Sequence, residues 1–260
     1  MDFPTATTVP LLMDGLRHHT RPALVWYGAD GERVELSGRV LDNWAAKTAN
    51  LWVDELDLAA GDVVAVGDDV HWRGLAAVLG TWTMGAAVLP VDPAGPGGAA
   101  GARAVVALVD ARGDLPPLVA EPPARARAVV VDRPALSLGY RGELPGEDAV
   151  DYCAEIRAHA DVYAGFEEPG PQDPALLAAH DADPVLHGQL LPRARELAGA
   201  REPAWGAAAA VHVPGRRMDE AFLLRVLGVL ASGRAVVVTD RDAADEAWDA
   251  VLAAENAAGF

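Results

Sequence analysis

The sequence predicts an α/β protein made of two stacked α/β subdomains with mainly parallel sheets. Three observations carry this prediction. The stretch Asp62 to Pro93, DVVAVGDDVHWRGLAAVLGTWTMGAAVLPVDP, places an apolar run, a helix-spaced segment and a second apolar run in succession. That is the strand–helix–strand unit of a parallel sheet. The same rhythm resumes after the proline- and glycine-rich segment Pro169 to Pro174, with strand-like runs in ALLAA, AAAAVHV and AVVVT. Finally, 260 residues that are 51% hydrophobic and 23% charged supply a sizeable core. The expected division is residues 1–168 for the first subdomain and 169–260 for the second.

In chain order, Val9 to His19 has the spacing of a short amphipathic helix. Ala23–Tyr27 and Arg33–Leu36 read as two strands joined by the turn Ala29-Asp30-Gly31, a hairpin. Ser37 can cap the following helix, whose apolar face carries Val40, Leu41, Trp44, Thr48, Leu51 and Trp52. Gly61-Asp62 turns into the central stretch. There Leu75, Val78, Leu79 and Trp82 recur at helical spacing and Gly85 stops the helix.

The glycines of Ala94 to Ala102 come without Lys, Ser or Thr, so they read as a connector rather than a phosphate cradle. Ala104–Val109 and Ala128–Val131 complete the first sheet. Ala149 to Tyr163 reads as a helix with Tyr152, Ile156 and His159 on one face. Cys153 lies on it and is read as structural, because neighbours on one helix do not make a nucleophile. Beyond the linker, a helix is expected to begin at Pro192, since proline suits a first turn. Met218–Leu230 and Asp242–Ala254 are further helices, with Asp219 near the start of the former.

The net charge of −17 argues against nucleic acid and anionic membranes as partners, because phosphates meet repulsion. Cys153 is the only cysteine, so no internal disulfide can form and a reducing cytoplasm fits. The N-terminal residues lack the pattern of a signal peptide, and no apolar run is long enough to span a bilayer. The 21 basic residues include one lysine, Lys47, so any chemistry in this sequence that needs a lysine must use it.

The order of hairpin, helix, Gly-Asp turn, strand, helix and strand ending in Pro-x-Asp-Pro, from Pro22 to Pro93, resembles the start of the AMP-forming adenylating enzymes. These include acyl-CoA synthetases, peptide-synthetase adenylation domains and luciferases. VHVPG, Val211 to Gly215, is similar to that family's His-x-x-Gly at a strand end, with His212 and Gly215 in place. The resemblance implies that this region lines an acyl pocket. It also implies a Ser/Thr/Gly-rich phosphate loop ending in Pro-Lys-Gly after the strand at Ala175. Here that stretch is HDADPVLHG, His180 to Gly188, without Ser, Thr or Lys. Its two carboxylates would each repel a phosphate by roughly 1–4 kcal/mol at contact distance.

The family's Tyr-Gly-x-Thr-Glu and Thr-Gly-Asp segments and its C-terminal catalytic lysine have no counterpart in these residues. The expectation is a truncated, degenerate relative that acts as a non-catalytic binding or interaction protein and uses no cofactor. Its candidate ligand residues are His180, Asp181, Asp183, His187, His212 and Gly215, and its partners are an unassigned small molecule, a protein or a second copy. Two alternatives stay open. One is a different, metal-assisted reaction at the His/Asp loop, since two imidazoles and two carboxylates suit a divalent ion. The other is a subunit of a split adenylating enzyme.

Overall fold

In the computed structural model, residues 5–95, 98–165, 169–177, 183–240 and 245–260 are described, the last of these through the backbone alone over 245–248. The elements in order are α1 (Val9–Arg17), β1 (Pro22–Tyr27), β2 (Arg33–Ser37), α2 (Gly38–Leu56), β3 (Val63–Gly67), α3 (Trp72–Thr83) and β4 (Ala87–Val91). There follow β5 (Ala104–Leu108), α4 (Pro117–Ala120), β6 (Arg127–Val131), β7 (Val150–Asp151), α5 (Tyr152–Glu155), β8 (Pro174–Leu176) and β9 (Val185–Leu186). The chain closes with α6 (His187–Trp205), β10 (Ala210–His212), α7 (Glu220–Ala231), β11 (Ala235–Thr239), α8 (Asp245–Glu255) and β12 (Ala257–Gly259).

Two sheets organise these elements, and both are parallel apart from one strand pair. One sheet has the order β12-β10-β11-β1-β2, the other β7-β6-β5-β3-β4-β8-β9. Only β1–β2 and β8–β9 run antiparallel. The α/β class with mainly parallel sheets is therefore the observed one. The central stretch folds as the sequence dictates: β3 and β4 pair in parallel from Val63↔Ala87 to Gly67↔Val91, around the crossover α3. Gly85 takes φ +82°, a left-handed conformation that glycine adopts without strain.

The compact units follow the sheets rather than the chain order. The first comprises Met1–Asp42, Val70–Trp72 and Gly188–Phe260; the second comprises Asn43–Asp69 and Arg73–His187. The first holds the five-stranded sheet, because β1 pairs with β11 from Leu24↔Val236 to Tyr27↔Thr239. Its apolar centre on one face is Val25, Ala210, Ala235, Val237 and Val251. The second unit holds the seven-stranded sheet, with a core that includes Ala65, Leu89, Val105, Leu118 and Val130.

Each unit contains a helix crossing that only glycine permits. A Cβ on Gly80 of α3 would lie 2.7 Å from Thr48 Cβ and 2.9 Å from the Ala45 carbonyl oxygen of α2. A Cβ on Gly228 of α7 would lie 2.5 Å from the Ala194 carbonyl oxygen of α6. Buried polar atoms at the first crossing pair with one another: Trp52 Nε1 donates to Thr81 Oγ1 at 3.0 Å, and Thr48 Oγ1 meets Tyr152 Oη at 2.7 Å.

Four local readings are corrected. The helix expected over 149–163 is a short strand and a single α turn. Val150 pairs with Val129, and the Asp151 carboxylate accepts from the Cys153 and Ala154 amides, which starts α5 at Tyr152. A 3₁₀ turn, Ile156–Ala158, ends it. Beyond that turn the carbonyls are claimed by α2: Lys47 donates to His159, and Asn50 to Ala160 and Val162 at 2.9 and 3.1 Å. Tyr152, Ile156 and His159 are buried all the same.

Secondly, α6 begins at His187, not at Pro192, which lies inside it. The antiparallel β8–β9 pair delivers the chain directly into the helix, with the His187 amide donating to the Asp173 carbonyl at 2.9 Å. Proline there forfeits one helix hydrogen bond. Thirdly, Val40 is exposed, whereas Leu41, Thr48, Leu51 and Trp52 of the same helix are buried. Finally, β7, β9 and β12 are strands of two or three residues that no alternation announces.

Candidate functional site

In open α/β sheets, ligands bind beyond the carboxyl ends of the strands, where the direction of chain progress across the sheet reverses. In the first unit the chain moves from β10 to β11, then returns past β10 to β12. The reversal therefore falls at the carboxyl ends of β10 and β11. Those ends carry His212 and Thr239. His212 is level with Val237, and Thr239 with Tyr27. Strand alternation puts all three polar residues on one face, the face where Ala210, Val25 and Val237 pack against Val251 of α8.

Burial sets the chemistry of this edge. His212 is 4% exposed, and desolvation pushes its pKa from 6.5 down to about 4. At pH 7 it is a neutral imidazole that offers one donor and one acceptor but no positive charge. Thr239 is 1% exposed, and its hydroxyl finds no hydrogen-bond partner among the described residues. Tyr27 hydrogen-bonds through its hydroxyl to Glu255, whose carboxylate also accepts from Arg33 Nε at 2.9 Å and Nη2 at 3.2 Å. Burial, reinforced by Glu255, raises the Tyr27 phenol pKa, and Arg33 holds the Glu255 carboxyl below its usual range. The edge thus buries a neutral imidazole and a hydroxyl, while Arg33 and Glu255 pair with each other.

A buried hydroxyl without a partner costs stability. Thr239→Val keeps the shape and removes the polar atom, so it is expected to raise stability by about 1 kcal/mol in urea unfolding. An equal loss would mean that the hydroxyl serves the fold.

The other site residues read from the sequence are distributed as follows. Gly215 follows β10 in the same unit as His212. A Cβ there would lie 2.5 Å from Phe222 Cδ2, so glycine lets the buried ring of α7 pack against this turn. His187 and Asp183 belong to the second unit. His187 is 2% exposed; burial lowers its pKa against the opposing pull of Asp173 and the Gly85 and Ala86 backbone. Its Nε2 is buried and has no partner among the described residues. Asp183 is exposed. His180 and Asp181 lie outside the described residues. Among the described residues, no group of three or more His, Cys, Asp or Glu side chains is placed to hold a metal.

The corresponding edge of the seven-stranded sheet is filled by the chain itself. Progress reverses at β3, between β4 and β5. Past β3, the Asp69 carboxylate lies 3.6 Å from Arg133, whose Nε donates to the Val109 carbonyl at 2.7 Å. Arg73, 2% exposed at the head of α3, donates through Nη1 to the carbonyls of Asp132, Arg133 and Pro134 at 2.8–3.0 Å. Its Nη2 reaches the Ala135 carbonyl at 2.9 Å. Cys153 is buried beside this loop, its sulfur 3.7 Å from the Asp132 carbonyl oxygen, and burial raises its thiol pKa. That is the environment of an inert thiol. Lys47 pairs with Asp161 at 2.8 Å in addition to its bond to the His159 carbonyl.

Sequence reasoning missed Thr239 and Arg73. Thr239 had no motif, only its place at the end of an apolar run. Arg73 had one usable signal: it is the only charge in the apolar segment from Val70 to Val91 apart from the histidine next to Trp72.

No family model matches the chain. A Mycobacterium tuberculosis protein described as a TIGR03089 family protein is 32% identical over 194 residues, which are 72% of this chain and 72% of that protein. Among solved structures, the Brucella canis acyl-CoA synthetase matches 97% of this chain with a TM-score of 0.72 at 22% identity. MatB from Rhodopseudomonas palustris matches 98% with a TM-score of 0.66 at 16% identity. The Mycobacterium tuberculosis fatty acyl CoA synthetase matches 94% with a TM-score of 0.66 at 15% identity. The chain spans about half the length of these structures, 46–48%. At these identities the likeness is one of fold. Among the described residues, no helix is long and apolar enough to cross a membrane.

Proposed function

Because the chain belongs to the TIGR03089 family and has the fold of the AMP-forming adenylating enzymes, we propose that it is a non-catalytic binding or interaction protein built on that scaffold. The observation that carries this reading is the state of Lys47. It is the only lysine in the sequence, and it is held by Asp161 and the His159 carbonyl, where it fastens α2 to the segment after α5. The sequence holds no second lysine, the residue type that the resemblance places at a phosphate or an acyl-adenylate. The segment His180 to Gly188 adds two carboxylates and no hydroxyl, which disfavours a triphosphate further.

What such a scaffold retains is the edge at His212 and Thr239. A neutral imidazole and a hydroxyl recognise a small uncharged polar group by hydrogen bonds and give no electrostatic attraction to an anion. Fold inherited from enzymes does not bring their activity with it. The test is pyrophosphate release by the purified chain with magnesium, ATP and a series of carboxylic acids from acetate to long-chain fatty acids. The reading expects none above background. ATP-dependent release that requires the acid, and disappears in Lys47→Ala, would overturn it.

A further inference from the structure

Residues 160–165 of the second unit lie on its surface without main-chain support. Among the described residues, none of their backbone amides or carbonyls bonds another backbone group. Ala160, Asp161, Val162, Ala164 and Gly165 are exposed, and Tyr163 is half-buried. The segment therefore gains little from apolar burial, the contribution that ordinarily offsets the entropy of ordering a chain.

One stripe of side chains on α2 fixes it instead. Lys47, Asn50 and Asp54 are three and four residues apart, so they share one face of the helix. Lys47 donates to the His159 carbonyl and pairs with the Asp161 carboxylate at 2.8 Å. Asn50 Nδ2 donates to the Ala160 and Val162 carbonyls at 2.9 and 3.1 Å. The Asp54 carboxylate lies 3.3 Å from His159 Nδ1, and the buried His159 pins the start of the segment. Val162 and Tyr163 line a concavity of about 550 Å³ together with Val53, Leu58 and Met84.

We propose that residues 160–165 form a strap, latched by Lys47 and Asn50, that swings off α2 while the rest of the chain stays folded. The latch is made of solvent-accessible contacts, and the Asp161 side chain is 59% exposed. Segments with few buried apolar contacts and exposed hydrogen bonds open locally, at far less cost than global unfolding. Closed, the strap completes the concavity and engages the only lysine. Open, it removes one wall and bares the α2 stripe. The closed form is the majority state, in which Lys47 stays held.

Two readouts on the full chain test this from opposite sides. As the only lysine, Lys47 reports opening through its acetylation by N-hydroxysuccinimidyl acetate, followed by mass spectrometry. Chymotryptic cleavage after Tyr163 reports it from the strap, since cleavage of a transiently opened segment follows its open population. Lys47 of the parent should react at least about tenfold more slowly than in the same chain unfolded in urea. Asn50→Ala removes two donors and should speed both reactions about tenfold. It also raises the helix propensity of α2, so the melting temperature should not fall. Asp161→Asn removes an exposed ion pair and should speed them about threefold. High salt should accelerate the parent and leave Asp161→Asn unchanged. Parent rates in both variants overturn the latch. A Lys47 that reacts in the parent as it does in urea overturns the closed strap. Acceleration at every cleavage site with a lowered melting temperature makes the opening global, and equally overturns the proposal.

Discussion

Replacing Arg73 with methionine is expected to cost about 3–5 kcal/mol of folding stability, because it removes several buried hydrogen bonds from a charged donor, each worth about 1.5–3 kcal/mol. Arg73 is 2% exposed, and it satisfies four successive carbonyls from Asp132 to Ala135. Methionine fills a similar volume but leaves those oxygens without donors, each a desolvation cost of about 1–3 kcal/mol unless the loop moves into water. The position is otherwise unfavourable for a cation, because it lies at the positive end of α3. The carbonyls are what hold it there.

Arg73→Lys should rescue little, since an ammonium has three donors and no planar fork with which to meet four carbonyls. Urea unfolding checks both variants. A loss below about 1 kcal/mol in Arg73→Met would mean that the loop finds other partners at no cost.

The second large effect is acid sensitivity centred on His212. Its folded pKa is about 4 and its ordinary value is 6.5, so the unfolded chain binds the proton more readily than the folded one. Stability from keeping this imidazole neutral is complete above pH 6.5 and is lost progressively as the pH falls toward 4. The total is about 3 kcal/mol, from 1.36 kcal/mol per pKa unit. His187 shifts in the same direction and adds to the effect.

Carboxylates also contribute at the acid end: Arg33 lowers the Glu255 pKa, while burial raises that of Asp42. The decisive comparison is therefore between the parent and His212→Asn across the same pH series. The variant should be less stable at pH 7.5 and should lose less on acidification to pH 4.5. Parallel curves for the two proteins would show that His212 does not titrate as described.

Much of the fold is written locally and some of it is not. Asp62 to Pro93 is legible because strand, helix, glycine stop and strand all lie within one stretch, and the apolar spacing changes where the structure does. Asp219 capping α7 is equally local: its carboxylate accepts from the Phe222 amide at 2.8 Å. By contrast, the hairpin β1–β2 joins β11 across more than 200 residues, and no local pattern states that partnership. The short strand β12, Ala-Ala-Gly, exists because β10 offers it a free edge, not because its residues favour extension. The helix expected to run on to Tyr163 stops early because Lys47 and Asn50, a hundred residues upstream, take its carbonyls.

The site divides in the same way. His212 and Gly215 were readable because they share a short motif at a strand end. Their roles were not, since only the fold shows that Gly215 makes room for Phe222 and that burial leaves His212 neutral. Thr239 became visible only when β11 was placed beside β10.

The most direct test of the central claim is calorimetric titration of the full chain with ATP in excess magnesium at pH 7.5. The sole lysine is committed to Asp161, His212 is neutral, and Arg33 is paired with Glu255. No saturable binding is therefore expected up to millimolar nucleotide, about −4 kcal/mol on the standard scale. Binding at one site per chain with a dissociation constant of about 10 μM or tighter would contradict it, and would return this chain to the nucleotide-handling members of its fold.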